Sequence, residues 1–224
     1  SCATGIYSSA FGKNSYATGQ SSTASGHYTL ASNCNTSAFG YRSCAVSDRA
    51  TASGYKSCGT AYASSAFGRN ATASGSASTS VGSLTIASAT DSSAFGYASC
   101  ATAGQSTASG YVAKATGISS TAVGRSSCAT GTYSTALGYS QCASGLRSTA
   151  IGFWNSASGY RSTASGYNSQ ATGIGSQAFG FYARSRIAET TNIGGQIITK
   201  KDDGETFCGD YEQFSGVETT LMTK

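Results

Sequence analysis

Large hydrophobic residues are sparse in this chain, and small residues recur with a period of seven. The repeating unit reads x-x-Ser-x-Ala-x-Gly, where x is variable, and it runs without insertion or deletion from Ser1 to Gly180. Proline is absent and charged residues make up only 10% of the chain, a composition that by itself favours disorder. A strict period over most of a chain instead indicates a repeat architecture, in which each unit packs on its neighbours.

The period of seven does not predict a coiled coil. A coiled coil needs two large apolar residues per heptad, and glycine costs about 1 kcal/mol relative to alanine in a helix. A five-residue strand followed by a two-residue turn fits better. Because side chains alternate along a strand, Ser, Ala and Gly then share the inner face, and the variable residues face outward. Glycine at the strand end supplies the backbone angles that a tight corner needs.

A longer period of 14 divides the units into two kinds. In alternate units, the residue before the glycine is often large and apolar, whereas in the others it is mostly Thr or Ser, with Val46 as the exception. The apolar members of the first set form one column: Phe11, Phe39, Phe67, Val81, Phe95, Val123, Leu137, Ile151 and Phe179. An exposed apolar column of this length marks an interface, so we predict that it mediates self-association.

Two strands per 14 residues predict an all-β fold, a parallel β-solenoid of about 13 coils in a rod roughly 60 Å long. We expect the solenoid to occupy residues 1–182. Residues 183–224 break the repeat and are expected to form a C-terminal β cap or docking segment. Within them, Ile197-Ile198-Thr199 and Thr206-Phe207-Cys208 flank an Asp-Gly turn and predict a hairpin. Residues 217–222 are a candidate third strand.

Cysteines and aromatic residues follow the same period. The cysteines at multiples of 14 are Cys2, Cys44, Cys58, Cys100, Cys128 and Cys142. Adjacent coils bring Cα atoms to about 5 Å, within the range for disulfides, so Cys44–Cys58 and Cys128–Cys142 are candidate pairs. The corner column contains Tyr41, Tyr55, Tyr97, Tyr111, Tyr139 and Tyr167, which we expect to stack as a ladder. Cysteines that pair so readily indicate an oxidising, extracellular setting.

The paired Ser-x-Ala-x-Gly units resemble the head repeat of the YadA-like trimeric autotransporter adhesins. Residues 120–124 (STAVG) and 148–152 (STAIG) are most similar to that motif, and the resemblance covers residues 1–180. It implies a left-handed parallel β-roll that is trimeric through one sheet, displayed outside a cell and used for adhesion. Similar repeats occur in viral and phage fibres. The eight cysteines depart from that family's pattern, and no coiled-coil stalk or membrane anchor is apparent.

The two ends of the chain suggest a second mode of assembly. Ser1 already lies in register, which we interpret as the start of a mature chain or of a fragment. The first coil, which has no cap, could stack on the C-terminal segment of another copy. A head-to-tail contact of this kind gives filaments. Cys2 and Cys208 are the candidate intersubunit cysteines for such a contact.

Charge and chemistry narrow the function further. The net charge is +5, divided as +7 in residues 1–180 and −2 in residues 181–224. We interpret the basic turn residues as a solvated edge, because no nucleic-acid-binding motif is present. The single histidine, His27, lies in the tyrosine column. No catalytic constellation or metal spacing appears, so we predict a protein without enzymatic activity, cofactor or metal.

These features predict an extracellular, cell-surface or virion-surface structural protein that forms a fibre or filament with itself and has an adhesive role. Two alternatives remain. One is a trimeric adhesin or viral or phage fibre head that binds a host receptor or glycan. The other is an ice-binding protein, suggested by a ladder of Thr4, Thr18, Thr60, Thr102, Thr116, Thr130 and Thr172. The neighbouring column mixes Cys, Tyr, Leu and Lys, so the flat two-column threonine plane of that alternative is missing.

Overall fold

Each coil of the protein contributes one strand to each of two parallel sheets. The computed structural model describes residues 1–194 throughout and, beyond them, the backbone of residues 199–200, 206–207 and 213–214. Each strand pairs in register with the strand 14 residues later, as in Phe67 with Val81. The predicted all-β parallel solenoid is therefore confirmed, with 14 coils rather than about 13.

The two sheets differ in strand length, and we name them accordingly. The narrow sheet consists of two-residue strands: Cys2–Ala3, Tyr16–Ala17, Leu30–Ala31, Cys44–Ala45, Cys58–Gly59, Thr72–Ala73, Ile86–Ala87, Cys100–Ala101, Lys114–Ala115, Cys128–Ala129, Cys142–Ala143, Ser156–Ala157, Gln170–Ala171 and Arg184–Ser185. The parallel strands of the wide sheet are Ser9–Phe11, Thr23–His27, Ser37–Tyr41, Thr51–Tyr55, Ser65–Arg69, Thr79–Ser83, Ser93–Tyr97, Thr107–Tyr111, Thr121–Arg125, Thr135–Tyr139, Thr149–Phe153, Thr163–Tyr167, Gln177–Phe181 and Thr190–Ile193.

The five-residue strand expected in both halves of the coil forms only in the wide sheet. On the narrow side, the chain turns at the glycine position itself, where the Ser8 amide donates to the Gly5 carbonyl (3.1 Å). On the wide side, Gly40 adopts a φ of 106°, and the strand continues one residue further to Tyr41. The same residue type therefore ends one strand and extends the other.

Alanine and serine fill the space between the sheets, as the pattern predicted. From Ala17 onward the central alanines of both sheets are fully buried, and so are most of the inward serines. The hydroxyl of Ser43 lies 2.6 Å from the Phe39 carbonyl and 2.9 Å from the Gly54 carbonyl, which share its single proton. Asn155 replaces serine at an equivalent position, and its side-chain amide donates to the carbonyls of Ile151 and Gly166. The thin interior is therefore held by methyl groups and by hydroxyl or amide bonds to the backbone.

Both corners of every coil use a left-handed residue. The second corner residue has a φ of 49–60° at every seventh position from Tyr7 to Tyr182 and again at Glu189, except at Gly175. Its amide donates to a carbonyl in the preceding coil, as Lys56 does to Tyr41 (2.7 Å). These bonds continue the ladder around the corners, so the coils remain joined where the strands end.

The solenoid continues past the end of the sequence motif. Parallel pairing extends to Arg184–Ser185 and Thr190–Ile193, with Ser185 and Asn192 buried in the interior. Strand 213–214 then pairs antiparallel with Thr190–Thr191, which covers part of the last wide strand. Strands 199–200 and 206–207 pair antiparallel, in agreement with the predicted hairpin. The candidate strand at 217–222 and Cys208 lie outside the described residues, and the division at residue 182 stays a prediction.

Candidate self-association and binding surfaces

The predicted apolar column runs along the outer face of the wide sheet from the first coil to the thirteenth. We call this column, from Phe11 to Phe179, the apolar stripe. Phe11 is 63% exposed, and the exposure of Phe39, Phe67, Phe95, Val123 and Ile151 is 37–40%. Val81, Leu137 and Phe179 are half-buried. Large apolar side chains therefore face solvent along nearly the whole described length of the rod.

Serine interrupts the apolar stripe in four coils, at positions 25, 53, 109 and 165. Phe39 is flanked by Ser25 and Ser53 on the adjacent coils, so two phenylalanines are separated by two coil rises, about 9.6 Å. The neighbouring outward column carries hydroxyls, such as Ser37 beside Phe39 and Thr51 beside Ser53. In the first five coils the surface is thus corrugated, with aromatic ridges alternating with gaps lined by hydroxyl groups.

The cysteine column lies on the outer face of the narrow sheet. Cys44 pairs in register with Cys58, and Cys128 with Cys142. All seven cysteines among the described residues are free thiols, so both disulfides stay predictions. Cys2 is exposed on the first narrow strand, and Cys34 is exposed on a corner.

The thiols of adjacent coils influence each other's acidity. A hydrogen bond between the Cys44 and Cys58 side chains lowers the pKa of Cys58 to about 7. The same hydrogen bond, assisted by burial, raises the pKa of Cys44. Burial raises the pKa of Cys128, although Lys114 on the preceding coil opposes the shift. Cys58 is therefore the more acidic thiol of the pair.

The corner that follows the wide strands carries a ladder of aromatic rings. We call the two positions after each wide-sheet glycine the aromatic corner. The centroids of Tyr41 and Tyr55 lie 5.1 Å apart with the rings 8° from parallel, and Tyr97 and Tyr111 have the same geometry. Tyr139, Phe153, Tyr167 and Phe181 continue the stack at 4.6–5.2 Å. All six tyrosines proposed from the sequence thus lie in one column.

Cations lie between and beside these rings. The Arg125 guanidinium lies 5.6 Å from the Tyr111 centroid and 5.4 Å from that of Tyr139, which joins the two stacked groups across one coil. A shallow open depression of about 430 Å³ is lined by Tyr111 and Arg125. His27, the single histidine, packs edge-on against Tyr41 at 5.3 Å. It is therefore part of the ladder.

The opposite corner follows the narrow strands and has a mixed character. Arg49 and Arg161 lie over the rings of Tyr62 and Tyr160 at 5.5 and 5.1 Å. Asp48 accepts a hydrogen bond from the Cys34 amide one coil earlier (3.2 Å). Exposed apolar residues also occur here, among them Ile118 and Ile174. This corner presents both signs of charge and an irregular set of side chains.

The threonine ladder lies on the outer face of the narrow sheet, and each of its members is exposed. Val46 interrupts it, and the neighbouring column contains Tyr16, Leu30, Ile86 and Lys114. This face therefore has neither the flatness nor the uniformity that the ice-binding alternative requires. Within the residues that the structure describes, no group of three or more His, Cys, Asp or Glu side chains could hold a metal ion, and no helix could cross a membrane.

Sequence reasoning missed two features of these surfaces. One is the left-handed corner residue, which has no compositional signal because Arg, Tyr, Leu and Val all occupy it. The other is the division of the charged residues between the two corners. Sorting these residues by their position in the 14-residue period would have revealed it. Both follow from the coil geometry.

Comparison with known families agrees with the repeat. The model for the YadA head domain repeat (2 copies) matches residues 3–29, 60–85, 87–113, 115–140, 143–169 and 157–183, well over half of the chain. No curated protein matches the chain. Heads of this family are structural, adhesin-like and displayed at a surface, and the family is not one of enzymes. The chain therefore belongs to the family of YadA head domain repeats.

Proposed function

We propose that this chain is the rod of a surface-displayed fibre, and that it self-associates through the apolar stripe on the wide sheet. One observation carries the proposal. Large apolar side chains are exposed on one face of the rod from Phe11 in the first coil to the thirteenth of 14 coils. Burying one such side chain completely stabilises an assembly by about 1.5–3 kcal/mol. Soluble monomers rarely expose so many large apolar side chains along one face.

The interior of the coil gives a second reason for association. Its buried hydrophobic side chains are all alanines, so each coil removes little apolar surface from water. A second copy packed on the wide sheet adds aromatic burial that the coil lacks. The corrugation favours such packing, because the gaps at Ser25 and Ser53 can receive the phenylalanine ridges of a neighbouring chain.

Two forms of this fibre are consistent with the surfaces. In a trimeric head, three wide sheets face one another and the narrow sheets and corners remain free to bind a host receptor, which is the adhesive role. In a head-to-tail filament, the residues after 194, with Cys208 and Cys2, join successive rods. We favour assembly through the wide sheet, because the apolar stripe that supports it lies in the described coils.

The test compares two exposed substitutions on opposite faces. Phe67→Asp places a charge in the apolar stripe, and Thr60→Asp places the same charge on the narrow sheet. We expect the wild type and Thr60→Asp to form the same oligomer by light scattering and analytical ultracentrifugation. Phe67→Asp should associate at least 100-fold more weakly while keeping its strand content by circular dichroism. Assembly of Phe67→Asp like the wild type would contradict the interface.

Electron microscopy with and without reductant separates the two forms. Discrete rods of three chains support the trimeric head. Filaments with an axial repeat of about 60–70 Å, close to the length of 14 coils, support head-to-tail assembly. Filaments that disperse on reduction would assign the contact to the cysteines.

A further inference from the structure

Charges are segregated between the two corners of the solenoid. The acidic residues among residues 1–194 are Asp48, Asp91 and Glu189, and all of them lie on the opposite corner. Arg49, Arg147 and Arg161 lie on the same corner, so its positive and negative charges are equal in number. The aromatic corner carries Lys13, Arg42, Lys56, Arg69 and Arg125 and no carboxylate. One edge of the rod is therefore purely cationic, and charge complementarity points to an anionic partner.

Three of these cations form a cluster on consecutive coils. Arg42, Lys56 and Arg69 are exposed, and the coil rise places them within about 10 Å along the rod axis. The Arg42 guanidinium lies 5.7 Å from the Tyr28 centroid and 5.5 Å from that of Tyr41, and the Lys56 ammonium lies 5.4 Å from the Tyr55 centroid. Ring contacts hold the cations on the ridge without neutralising them.

The stacking of the rings restricts how a ligand can bind here. Tyr41 and Tyr55 cover each other's faces at 5.1 Å, and Arg42 lies beside the Tyr41 ring. A nucleic-acid base binds an aromatic side chain through its face, so a base could enter only by breaking the stack. What remains accessible is the rim of each ring with its hydroxyl, together with the cationic heads. These groups donate hydrogen bonds to anionic oxygens.

We propose that the Arg42–Lys56–Arg69 cluster on the aromatic corner binds a linear acidic polysaccharide that lies along the rod axis. Sulfate or carboxylate groups on successive sugars accept hydrogen bonds from cations on successive coils. One sugar of an extended chain is about as long as one coil rise, so charges on the two polymers remain in step. The open ridge also suits a long chain better than a small ligand.

This binding does not depend on the proposed self-association. The cluster lies on the corner, and each cation belongs to a single chain. Association of several chains would raise the avidity by presenting parallel ridges. Ile151→Asp, which places a charge in the apolar stripe six coils away from the cluster, therefore serves as a background in which binding is measured without assembly.

The test uses two triple variants with the same loss of charge. The cluster variant is Arg42→Gln, Lys56→Gln and Arg69→Gln. The matched control is Arg49→Gln, Arg147→Gln and Arg161→Gln on the opposite corner. Glutamine is compatible with the left-handed corner, because Gln105 adopts a φ of 58° there. Circular dichroism and thermal melting should confirm that both variants keep the wild-type fold.

Affinity for heparin, measured by calorimetry at two salt concentrations, is the readout. We expect the cluster variant to bind at least tenfold more weakly, with a smaller salt dependence because fewer counterions are released. The control should remain within twofold of the wild type, and both patterns should persist with Ile151→Asp present. Equal weakening of the two variants, or no heparin binding by the wild type, would overturn the proposal.

Three further probes identify the class of polymer. Heparin without its sulfates and polygalacturonate distinguish sulfate from carboxylate recognition, and binding of either one through the cluster supports the proposal. Single-stranded oligothymidylate of matched charge tests the competing class of ligand. Binding of the oligonucleotide more tightly than heparin, with quenching of tyrosine fluorescence, would overturn the choice of polysaccharide.

Discussion

The wide and narrow sheets are built from the same seven-residue unit, yet they use its glycine for different purposes. In the wide sheet, the last position of the repeat unit is glycine in every coil from Gly12 to Gly180, with φ between 98° and 140°. The corresponding narrow position is often glycine but is also Asn33, Ser47, Ala61, Ala89 or Ala103. Only the wide position requires a backbone conformation that other residues rarely adopt. The backbone conformation at each position therefore determines which residues can replace the glycine, whereas the repeat motif does not.

The outer faces of the two sheets differ in the same way. The wide sheet presents the apolar stripe, and the narrow sheet presents threonines, serines and thiols. Because the inner faces are nearly identical, the difference in outward residues cannot come from packing within one chain. The difference supports the proposal that the wide sheet packs against a second copy of the chain.

The largest effect we expect comes from adding a methyl group to a wide-sheet glycine. At Gly68, where φ is 123°, an added Cβ would lie 2.0 Å from the carbonyl oxygen of Gly82. Gly68→Ala should therefore lower the free energy of unfolding by at least about 3 kcal/mol, from backbone strain and from separation of two coils. Urea denaturation followed by circular dichroism measures this change.

Gly75→Ala on the narrow sheet is the control. A rigid Cβ at Gly75 would also meet a carbonyl, that of Ala89, but this position can adopt the arrangement found at Ala61. There the amide donates to the Ser64 hydroxyl (3.2 Å). At Gly75 the equivalent hydroxyl, that of Ser78, has no partner within the described residues and can accept the amide. We expect a change below about 1 kcal/mol. Equal losses in both variants would refute the distinction between the two sheets.

The period of the sequence was sufficient to predict most of this architecture. Spacings of seven and 14 residues predicted the coils, the buried alanines, the apolar stripe and the tyrosine ladder, because strand alternation and register leave few alternatives. The fourteenth coil was missed because Ser185, Thr190 and Asn192 replace the usual inner residues. The short narrow strands were missed because they depend on φ at the glycine, which residue identity does not determine. The cationic cluster was treated as a solvated edge, since its isolation from carboxylates is evident only once the corners are separated.

A second, smaller effect should distinguish the narrow sheet by its thiols. Oxidation of Cys44 and Cys58 to a disulfide would close a loop of about 15 residues and stabilise the fold by about 3 kcal/mol. Thermal melting before and after treatment with oxidised glutathione measures the gain. Cys58→Ser should abolish the gain from this pair, whereas Cys100→Ser should leave it unchanged, because Cys100 is flanked by Ile86 and Lys114.

The pH dependence of this reaction follows from the thiol pKa values. Because the pKa of Cys58 is lowered to about 7, its thiolate fraction and its alkylation by iodoacetamide should rise through pH 7. Cys128, whose pKa is raised by burial, should react only at higher pH. Cys44→Ala removes the hydrogen-bond donor, so the alkylation midpoint of Cys58 should move upward. Mass spectrometry measures the alkylation of each cysteine as a function of pH. The same midpoint pH for Cys58 and Cys128 would exclude the proposed hydrogen bond between Cys44 and Cys58.

The smallest effect concerns the corners, which are the feature that both sides of the coil share. Val112 adopts a φ of 57°, a conformation that is unfavourable for a β-branched residue. Asn70 occupies the equivalent position three coils earlier with a φ of 53°, and asparagine tolerates this region. Val112→Asn should therefore stabilise the fold by about 1 kcal/mol, and Asn70→Val should destabilise it by a similar amount. Denaturation midpoints at constant m-value measure both changes. Because each corner amide also bonds to the preceding coil, a loss of stability in Val112→Asn would mean that the valine side chain, and not the backbone, holds that corner together.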